Sequence, residues 1–477
     1  RGRVVVTLAI FIALLGAPLF ILTTSVHRAD LPVVELQQRT DAFDISVAFK
    51  VPIYLNTTRT NLLAEAQSHA DDFFARSTDV GLLWGVEFRP YSTDIDSYEQ
   101  YVLTVVDETD ADAPEPAHIL SPYSKGITVV QQAKNADSAT LCGHISEVLF
   151  QHVFGGELAT LTALKSGAPT SDMSFPYSST YHVVFNLLAQ DGTPVAWEIE
   201  RAVAQMQPVF DALRHYTKFE VSTLIQYYSK LTHSPQWDEA RKANVLLQDS
   251  LSTFINFGDW NLINHERSPA INFVIYFADL NYRNVPLLVE GTEKNVFSIP
   301  QWGAVHIYNP QMPLLAGARL KMSDRELNLI LDSFASQLFE LLGVPSAPVS
   351  PLMRIDAFQR VSTYKQLKRS LENLAALVKL SNLLLGISIP EATKNYVLDS
   401  LVHYDAAVEK LRSSEFGLAL ESSGRALQSS DKAFFEKEMV QQAHFPNEHK
   451  LAVFLPLLGP ICSIVFFGII NRAMAWK

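Results

Sequence analysis

YHVVFNLL, residues 181–188, is the stretch that decides the fold of this chain. Apolar side chains occupy both alternations of the run, so a β-strand here presents apolar groups on both of its faces. A strand of that kind needs cover on each side, as in a layered α/β domain, whereas a half-exposed strand alternates apolar and polar residues. The stretch therefore predicts a strand inside a sheet that is covered on both sides.

Strand-like and helical patterns alternate on both sides of this stretch. The pattern predicts strands at 43–55, 80–89, 100–106, 126–131, 218–228, 271–277 and 302–308. It predicts helices at 58–77, from Asp137 or Ser138 to about 153, and at 195–215, with a Trp-bearing segment near 247–263. The alternation indicates a mixed layered α/β domain, assigned to residues 27–322, with no repeat of solenoid period.

The strands stop near Ser323, where Ser323 and Glu326 have the spacing of a capping box that opens a helix to about Leu342. Two heptad-like segments follow, with apolar positions Tyr364, Leu367, Leu371, Leu374 and Val378 in one and Val397, Leu401, Tyr404, Val408 and Leu411 in the other. A turn at 386–390 would join them as an antiparallel helical hairpin within the helical region 323–450. The alternative, a partner helix on the seam, is disfavoured by the short connection.

Two uncharged apolar runs flank these regions: VVVTLAIFIALLGAPLFILTTSV at 4–26 and LAVFLPLLGPICSIVFFGII at 451–470. Each is long enough to cross the hydrocarbon core, so they predict two transmembrane helices with cytosolic ends at 1–3 and 471–477. A cleaved signal peptide is disfavoured by the length of the first run, and a buried core helix by the near absence of polar residues in the second. The charged tail disfavours a GPI attachment signal.

The large middle of the chain is expected in the endoplasmic reticulum lumen or outside the cell. The Lys and Arg bias around the two runs favours cytosolic ends weakly, and Asn56-Thr57-Thr58 is a sequon that makes Asn56 the candidate glycosylation site. The two cysteines, Cys142 and Cys462, fall in the middle and in the second run, so no internal disulfide links them.

Sequence motifs for catalysis are missing. The formal net charge of −12, without a dense basic stripe, argues against nucleic-acid binding. The chain contains no G-x-S-x-G, Walker A or G-x-G-x-x-G motif, and Pro269 stands where an H-E-x-x-H site starting at His265 needs its second histidine. No catalytic, cofactor-binding or metal residue is therefore assigned.

One combination suggests a nucleophile, Cys142 with His144 or His152 as its base. Adjacent helical residues point apart, however, and Cys142 shares a face with Ile145 and Leu149, so a buried structural cysteine is the preferred interpretation. A membrane-anchored luminal Cys hydrolase or transamidase stays as the alternative function. The acidic stretch that begins at Asp107 lacks EF-hand spacing and is interpreted as a solvated loop. Trp260, two residues after Gly258, and Trp302, next to Gly303, are expected in the core or at a contact surface.

Blocks along nearly the whole chain resemble the PIG-S family, subunits of the GPI transamidase of the endoplasmic reticulum. They are HRADLP (27–32, where Tyr is more usual than His27), VPIYL (51–55), YHVVFNLLAQDG, WEIERAVAQMQPVFDAL and FEVSTLIQYYSKL (within 181–231), INFVIYFAD (271–279), QWGAVHIYN (301–309), and KAFFEKEM through HFPNEHKLAVFLPLLGPI (432–461). None is a catalytic signature. The acidic stretch DETDADAPEP, 107–116, has no place in the family pattern and is given no role.

The resemblance implies a two-pass protein of the endoplasmic reticulum membrane, with a large luminal domain and cytosolic termini. It implies a non-catalytic subunit that supports assembly and substrate positioning while GPI anchors are attached to proteins, in contact with membrane lipid and without cofactor or nucleic acid. The implied partners are a PIG-K-like protease subunit that carries the catalytic cysteine, and PIG-T-like, GPAA1-like and PIG-U-like subunits. Pro456, Gly459, Pro460 and Gly468 would let the second apolar run bend or pack against other membrane helices.

Overall fold

The computed structural model describes residues 28–437, except for 78–79, 81–82, 109–116, 133–136, 169–174, 197–198, 254–267, 279–284, 293–294, 310–319 and 384–387, together with residues 7, 10–11, 14, 18, 456, 459–460, 463–470 and 474. Trp260, His265, Gly386 and most of both apolar runs lie outside these residues. Within the described part, no helix combines the length and the apolar character needed to cross a membrane.

Fifteen strands and ten α-helices make up this part of the chain. The strands are β1 (Phe49–Asn56), β2 (Trp84–Pro90), β3 (Tyr101–Glu108), β4 (Ala117–Leu120), β5 (Gly126–Gln132), β6 (Thr180–Ala189), β7 (Val195–Ala196), β8 (Lys218–Gln226), β9 (Gln236–Asp238), β10 (Ala243–Leu246), β11 (Ala270–Phe277), β12 (Leu287–Val289), β13 (Val296–Ile299), β14 (Gly303–Tyr308) and β15 (Leu320–Lys321). The helices are α1 (Val33–Asp41), α2 (Phe43–Ser46), α3 (Leu62–Ser77), α4 (Ser138–Val148), α5 (Gly155–Ser166), α6 (Ile199–Ala212), α7 (Asp324–Leu342), α8 (Pro351–Leu383), α9 (Glu391–Arg412) and α10 (Phe416–Phe434).

The chain divides into two units that are described separately. The sheet unit comprises residues 47–365 and 407–424, and the helical unit comprises residues 1–46, 366–406 and 425–477. The mixed α/β class predicted from the sequence is confirmed, because the sheet unit holds all the strands and its sheets pack against helices.

The first large sheet has the strand order β2-β1-β3-β5-β4, and every pairing is parallel except that of β4 with β5. Helix α3 connects β1 to β2 on one side of the sheet, and the chain then returns across β1 to form β3. Strand order thus reverses between β1 and β3, which makes this position the topological switch point of a doubly wound sheet.

The second large sheet repeats this connectivity with the order β8-β6-β11-β14-β13. Here α6 connects β6 to β8, the chain returns across β6 to form β11, and β13 is the antiparallel edge strand. A helix follows the last parallel strand in both copies, α4 in the first and α7 in the second. The sheet unit is therefore a tandem pair of equivalent α/β layers.

The stretch 181–188 forms β6, and the prediction that both of its faces are covered is confirmed. Tyr181, Val183, Phe185 and Leu187 pack in a core with α6 and α7, whereas Leu188 belongs to a second core on the opposite face. The small sheet of order β12-β10-β9 contributes to this second core, which explains how apolar groups on both faces are buried.

Strand β14 begins at Gly303, whose backbone lies very close to Asn272 of the paired strand β11. Its φ of 154° lies in the region that glycine favours, and a Cβ on this residue would lie 1.9 Å from the carbonyl oxygen of Asn272 in β11. The same Cβ would also lie 2.8 Å from the backbone nitrogen of Asn272, so a side chain at position 303 would clash with both of these backbone atoms.

The predicted helices of the C-terminal region are confirmed as α7, α8 and α9. Ser323 and Glu326 form the predicted capping box, with the Ser323 hydroxyl accepting from the Glu326 amide at 3.4 Å and the Glu326 carboxylate accepting from the Ser323 amide at 2.9 Å. The heptad positions of both seams are buried, apart from the half-buried Val378.

Two sequence-based boundaries need correction, and one helix was not predicted. The segment 43–55 is not one strand: Phe43–Ser46 is a helical turn, closed by the Ser46 hydroxyl donating to the Phe43 carbonyl, and β1 starts at Phe49. The helix expected at 195–215 is shorter, because Val195–Ala196 pairs with β15 instead. A fourth long helix of the C-terminal region, α10, was missed.

Candidate functional site

Cys142 lies on α4 and is buried, as the sequence predicted, with 2% of its surface exposed. The Ser146 hydroxyl donates to the Cys142 carbonyl at 2.9 Å and contacts His69 Nδ1 at 3.1 Å. In the part of the chain that the structure describes, no hydrogen bond joins the Cys142 sulfur to an imidazole. Burial raises the pKa of the thiol, and the Glu65 carboxylate raises it further, so the reactive thiolate is disfavoured.

His144 and His152, the two bases considered for Cys142, are brought together with a third histidine instead. The ring centroids of His118 and His152 are 4.4 Å apart, and those of His118 and His144 are 5.9 Å apart. In an uninterrupted α-helix, a spacing of eight residues turns two side chains about 80° apart. The π turn at Leu149–Val153 takes up one extra residue, so His152 falls on the face of His144.

The histidine cluster is defined as His118, His144 and His152, and its surroundings disfavour the charged imidazolium at His118 and His144. Burial lowers the pKa of His118 and of His144, and the neighbouring imidazoles lower both further, while Glu147 opposes the change at His144. Among the described residues, no group of three or more His, Cys, Asp or Glu has the arrangement of a metal site. His118 could not be predicted as a member of this cluster, because the four-residue strand β4 was not predicted.

Asn56, the sequon residue, ends β1 at the carboxyl edge of the first sheet and is half-buried. Three residues later Arg59 Nη2 donates to Asp107 Oδ1 at 2.5 Å, and the Arg59 amide donates to the Thr57 hydroxyl at 3.2 Å. The first residue of the acidic stretch is thus in an ion pair, and residues 109–116 lie outside the described part.

A buried ion pair that sequence reasoning did not find joins α5 to α8 in the sheet unit. Arg360 is 0% exposed and Glu157 is 1% exposed. The guanidinium donates in bidentate fashion, from Nε to Glu157 Oε1 at 2.8 Å and from Nη2 to Oε2 at 2.6 Å. Trp84 Nε1 donates to Oε1 of the same carboxylate at 2.9 Å. The pair is therefore held by three charge-assisted hydrogen bonds.

Aromatic rings enclose the Arg360 guanidinium. Its central carbon lies 5.8 Å from the ring centroid of Tyr101, 5.6 Å from that of Phe154 and 5.1 Å from that of Phe416. Burial lowers the pKa of Arg360, but the Glu157 carboxylate outweighs this effect and the net pKa is raised. The arginine is permanently charged and has no access to solvent, so its function is to hold elements of the fold together rather than to transfer protons.

Four of the sequence blocks quoted above contain the parallel strands of the second sheet, and these strands end together at its carboxyl edge. They are YHVVFNLLAQDG (β6), FEVSTLIQYYSKL (β8), INFVIYFAD (β11) and QWGAVHIYN (β14). The Asp191 carboxylate closes the turn after β6 by accepting from the Thr193 amide at 3.0 Å. Tyr228 follows β8 with φ of 59°, and its hydroxyl lies 2.3 Å from the position of a Cβ on Gly192. In α/β sheets, such an edge is where ligands or partners are received.

Trp302 lies partly buried against the second core, which agrees with its interpretation as a core residue. At the carboxyl edge, the described side chains supply hydroxyl groups, a carboxylate and the exposed Tyr228 ring. The Thr193 hydroxyl donates to the Asp191 carboxylate at 2.8 Å, and within the same sheet His182 Nε2 lies 2.7 Å from Ser222 Oγ.

Comparison with known proteins gives one family for the chain. The family model described as PIG-S, phosphatidylinositol-glycan biosynthesis class S protein, matches residues 7–477. The chain is 28% identical to GPI transamidase component GPI17 of Saccharomyces cerevisiae, over 96% of this chain and 89% of the relative. It is 25% identical to the GPI-anchor transamidase component PIGS of Bos taurus, over 100% and 96%, and 24% identical to that of Homo sapiens, over 96% and 92%.

Proposed function

The chain belongs to the PIG-S family, and from that premise we propose that it is a non-catalytic subunit of a GPI transamidase, supporting assembly and substrate positioning for the attachment of GPI anchors to proteins in the endoplasmic reticulum. One observation carries the proposal: the match extends over residues 7–477, and relatives matched over about nine tenths of their length are named as components of that transamidase. The burial of Cys142 and its raised thiol pKa are consistent with a subunit that does not perform the chemistry.

The finer proposal concerns partners and placement. The partners are a PIG-K-like protease subunit bearing the catalytic cysteine, and PIG-T-like, GPAA1-like and PIG-U-like subunits. Residues 4–26 and 451–470 cross the endoplasmic reticulum membrane, 27–322 and 323–450 are luminal, and both ends are cytosolic. The support is the length of the two uncharged runs, together with the family match.

Replacing Cys142 by alanine is expected to leave GPI attachment unchanged, because the thiol is buried and no imidazole of the described residues is bonded to it. The measurement is purification of the tagged full chain in mild detergent, mass spectrometry of the co-eluting subunits, and an attachment assay on the eluate. We expect protease-like and PIG-T-like subunits in fixed ratio with wild-type activity. The cavity left by the sulfur should cost about 1 kcal/mol of stability at most.

Ser146→Ala is the matched control, since Ser146 is buried on the same helix and contacts His69. If attachment stops in Cys142→Ala but continues in Ser146→Ala, with the complex intact in both, then the chain is a cysteine enzyme and the proposal fails. A chain that elutes alone from mild detergent would instead indicate a free-standing adaptor.

Replacing Asn56 by glutamine is expected to remove one endoglycosidase-sensitive shift in gel mobility, because the sequon is then lost. Thr58 is exposed at the end of β1, so Thr58→Ala should give the same result while Asn56 is kept. The two variants together separate glycan loss from any effect of the Asn56 amide. A wild-type chain whose mobility the endoglycosidase does not change would contradict glycosylation of Asn56.

A further inference from the structure

The chain enters the helical unit at one defined end of the bundle. Arg28 pairs with Ile389 in an isolated parallel bridge, and the Ala29 amide donates to the Ile389 carbonyl at 2.9 Å. Arg28 Nη2 also donates to the carbonyl of Ser381, near the end of α8. The end of α8, the start of α9 and the first residues after the apolar run 4–26 therefore meet at one place.

That end of the helical unit has an unusual composition for a connection between two helices. Residues 380–390 carry no charge, whereas turns between helices are ordinarily rich in polar residues. Leu383, the last residue of α8, is 70% exposed. An apolar side chain on a helix end is thus presented outward rather than covered by the bundle.

Arg28 supplies a polar group at the same end. Its Nη1 is buried and, within the described part of the chain, has no hydrogen-bond acceptor. Because Nη1 is buried and Nη2 donates to Ser381, the guanidinium holds residue 28 at this end of the unit. Leu383 is thus an exposed apolar side chain next to a segment that leads directly out of the apolar run, an arrangement that suits a phospholipid surface.

The position of the apolar run 4–26 indicates whether lipid or a partner protein covers this end of the helical unit. Val26 is two residues before Arg28, and two extended residues span at most about 7 Å. If the run 4–26 crosses a bilayer, then Arg28 must lie within the headgroup region on the side where the run ends. A protein partner would have to displace lipid from directly beside the span.

We propose that the end of the helical unit defined by Arg28, Ser381 and Leu383 rests on the surface of the phospholipid bilayer, with Leu383 at the acyl-chain boundary. The inference rests on the proposed function in taking 4–26 as a membrane span. It adds to the spans a membrane contact that the helical unit itself makes.

The test places a fluorescent probe at Leu383 in the full chain. In a Cys142→Ala, Cys462→Ser background, Leu383→Cys is labelled with an environment-sensitive fluorophore, and the chain is reconstituted in phosphatidylcholine nanodiscs with or without bromine on the acyl chains. The control is Val402→Cys, also exposed (65%) and on the same unit, but about 17 Å along α9 from its first residue. We expect blue-shifted, bromine-quenched emission at position 383 and unquenched emission at 402.

Two results would overturn the inference. Equal quenching at both positions, or none at 383, would show that this end does not contact acyl chains. Quenching at 383 in the isolated chain that disappears in the purified complex would show that a protein covers the site. Co-elution and attachment assays on the same labelled variants test the proposed function separately. If those assays fail while the probe at position 383 is still quenched, the proposed function is wrong but the lipid contact is real.

Discussion

Arg360→Met is expected to lower the free energy of unfolding of the chain by about 3–5 kcal/mol. The side chain of methionine fills much of the space of the arginine, so the cost comes mainly from leaving the Glu157 carboxylate buried without its counter-charge. The ring enclosure by Tyr101, Phe154 and Phe416 also loses its cation. Because Trp84 Nε1 donates to the same carboxylate, tryptophan fluorescence during denaturation of the purified full chain follows the site.

Two comparisons make this result specific to the buried pair. The double variant Arg360→Met, Glu157→Leu removes both charges and should recover much of the loss, since a buried ion pair is often replaceable by apolar groups. Arg201 and Asp324 form an ion pair at 3.0 Å with more than half of each side chain exposed, so Arg201→Met should cost at most about 1 kcal/mol. Equal losses for Arg360→Met and Arg201→Met would show that the buried pair has no special role.

Gly303→Ala is expected to prevent the second sheet from forming, at a cost above about 4 kcal/mol, in the range of the most damaging point substitutions. The added Cβ would lie 1.9 Å from the Asn272 carbonyl oxygen, which is backbone and has no room to move without separating β11 from β14. The measurement is the yield of monodisperse full chain after detergent purification, followed by thermal unfolding. We expect little or no folded material.

Gly291 provides the control for this prediction. It also has a positive φ, of 76°, but no atom of the described residues lies within 4 Å of the position of its Cβ. Gly291→Ala therefore measures the left-handed backbone strain alone, about 1–2 kcal/mol. If Gly303→Ala destabilises the chain no more than Gly291→Ala, then the close approach of β14 to Asn272 does not control the fold.

The elements that the sequence predicted are those with long, regular patterns. Strand β6 was recognisable because both of its faces are apolar, α7 because Ser323 and Glu326 have capping-box spacing, and α8 and α9 because their heptad positions extend over several turns. Strands of three or four residues such as β4 are too short for a period to be visible. Helix α10 escaped because serines occupy many of its buried positions, among them Ser423 and Ser430, whose hydroxyls bond to the preceding turn.

The candidate site shows a similar division. The burial of Cys142 followed from the face it shares with Ile145 and Leu149, all of which are buried. In the sequence, Arg360 and Glu157 each have the pattern of an ordinary charged residue on a helix. Their ion pair could not be predicted, because it joins residues 203 positions apart. The function came from the family resemblance rather than from any catalytic motif. A supporting subunit has no chemical signature that a motif search can detect.

The buried ion pair also sets an order of events during synthesis. At about 5–20 residues per second, the ribosome adds Glu157 roughly 10–40 s before Arg360. During that interval the Glu157 carboxylate has no counter-charge, so its burial beside Trp84 is unfavourable. The first of the two tandem layers is therefore completed only after α8 has been translated, although its strands are translated early. By that time most of the chain has already been translated.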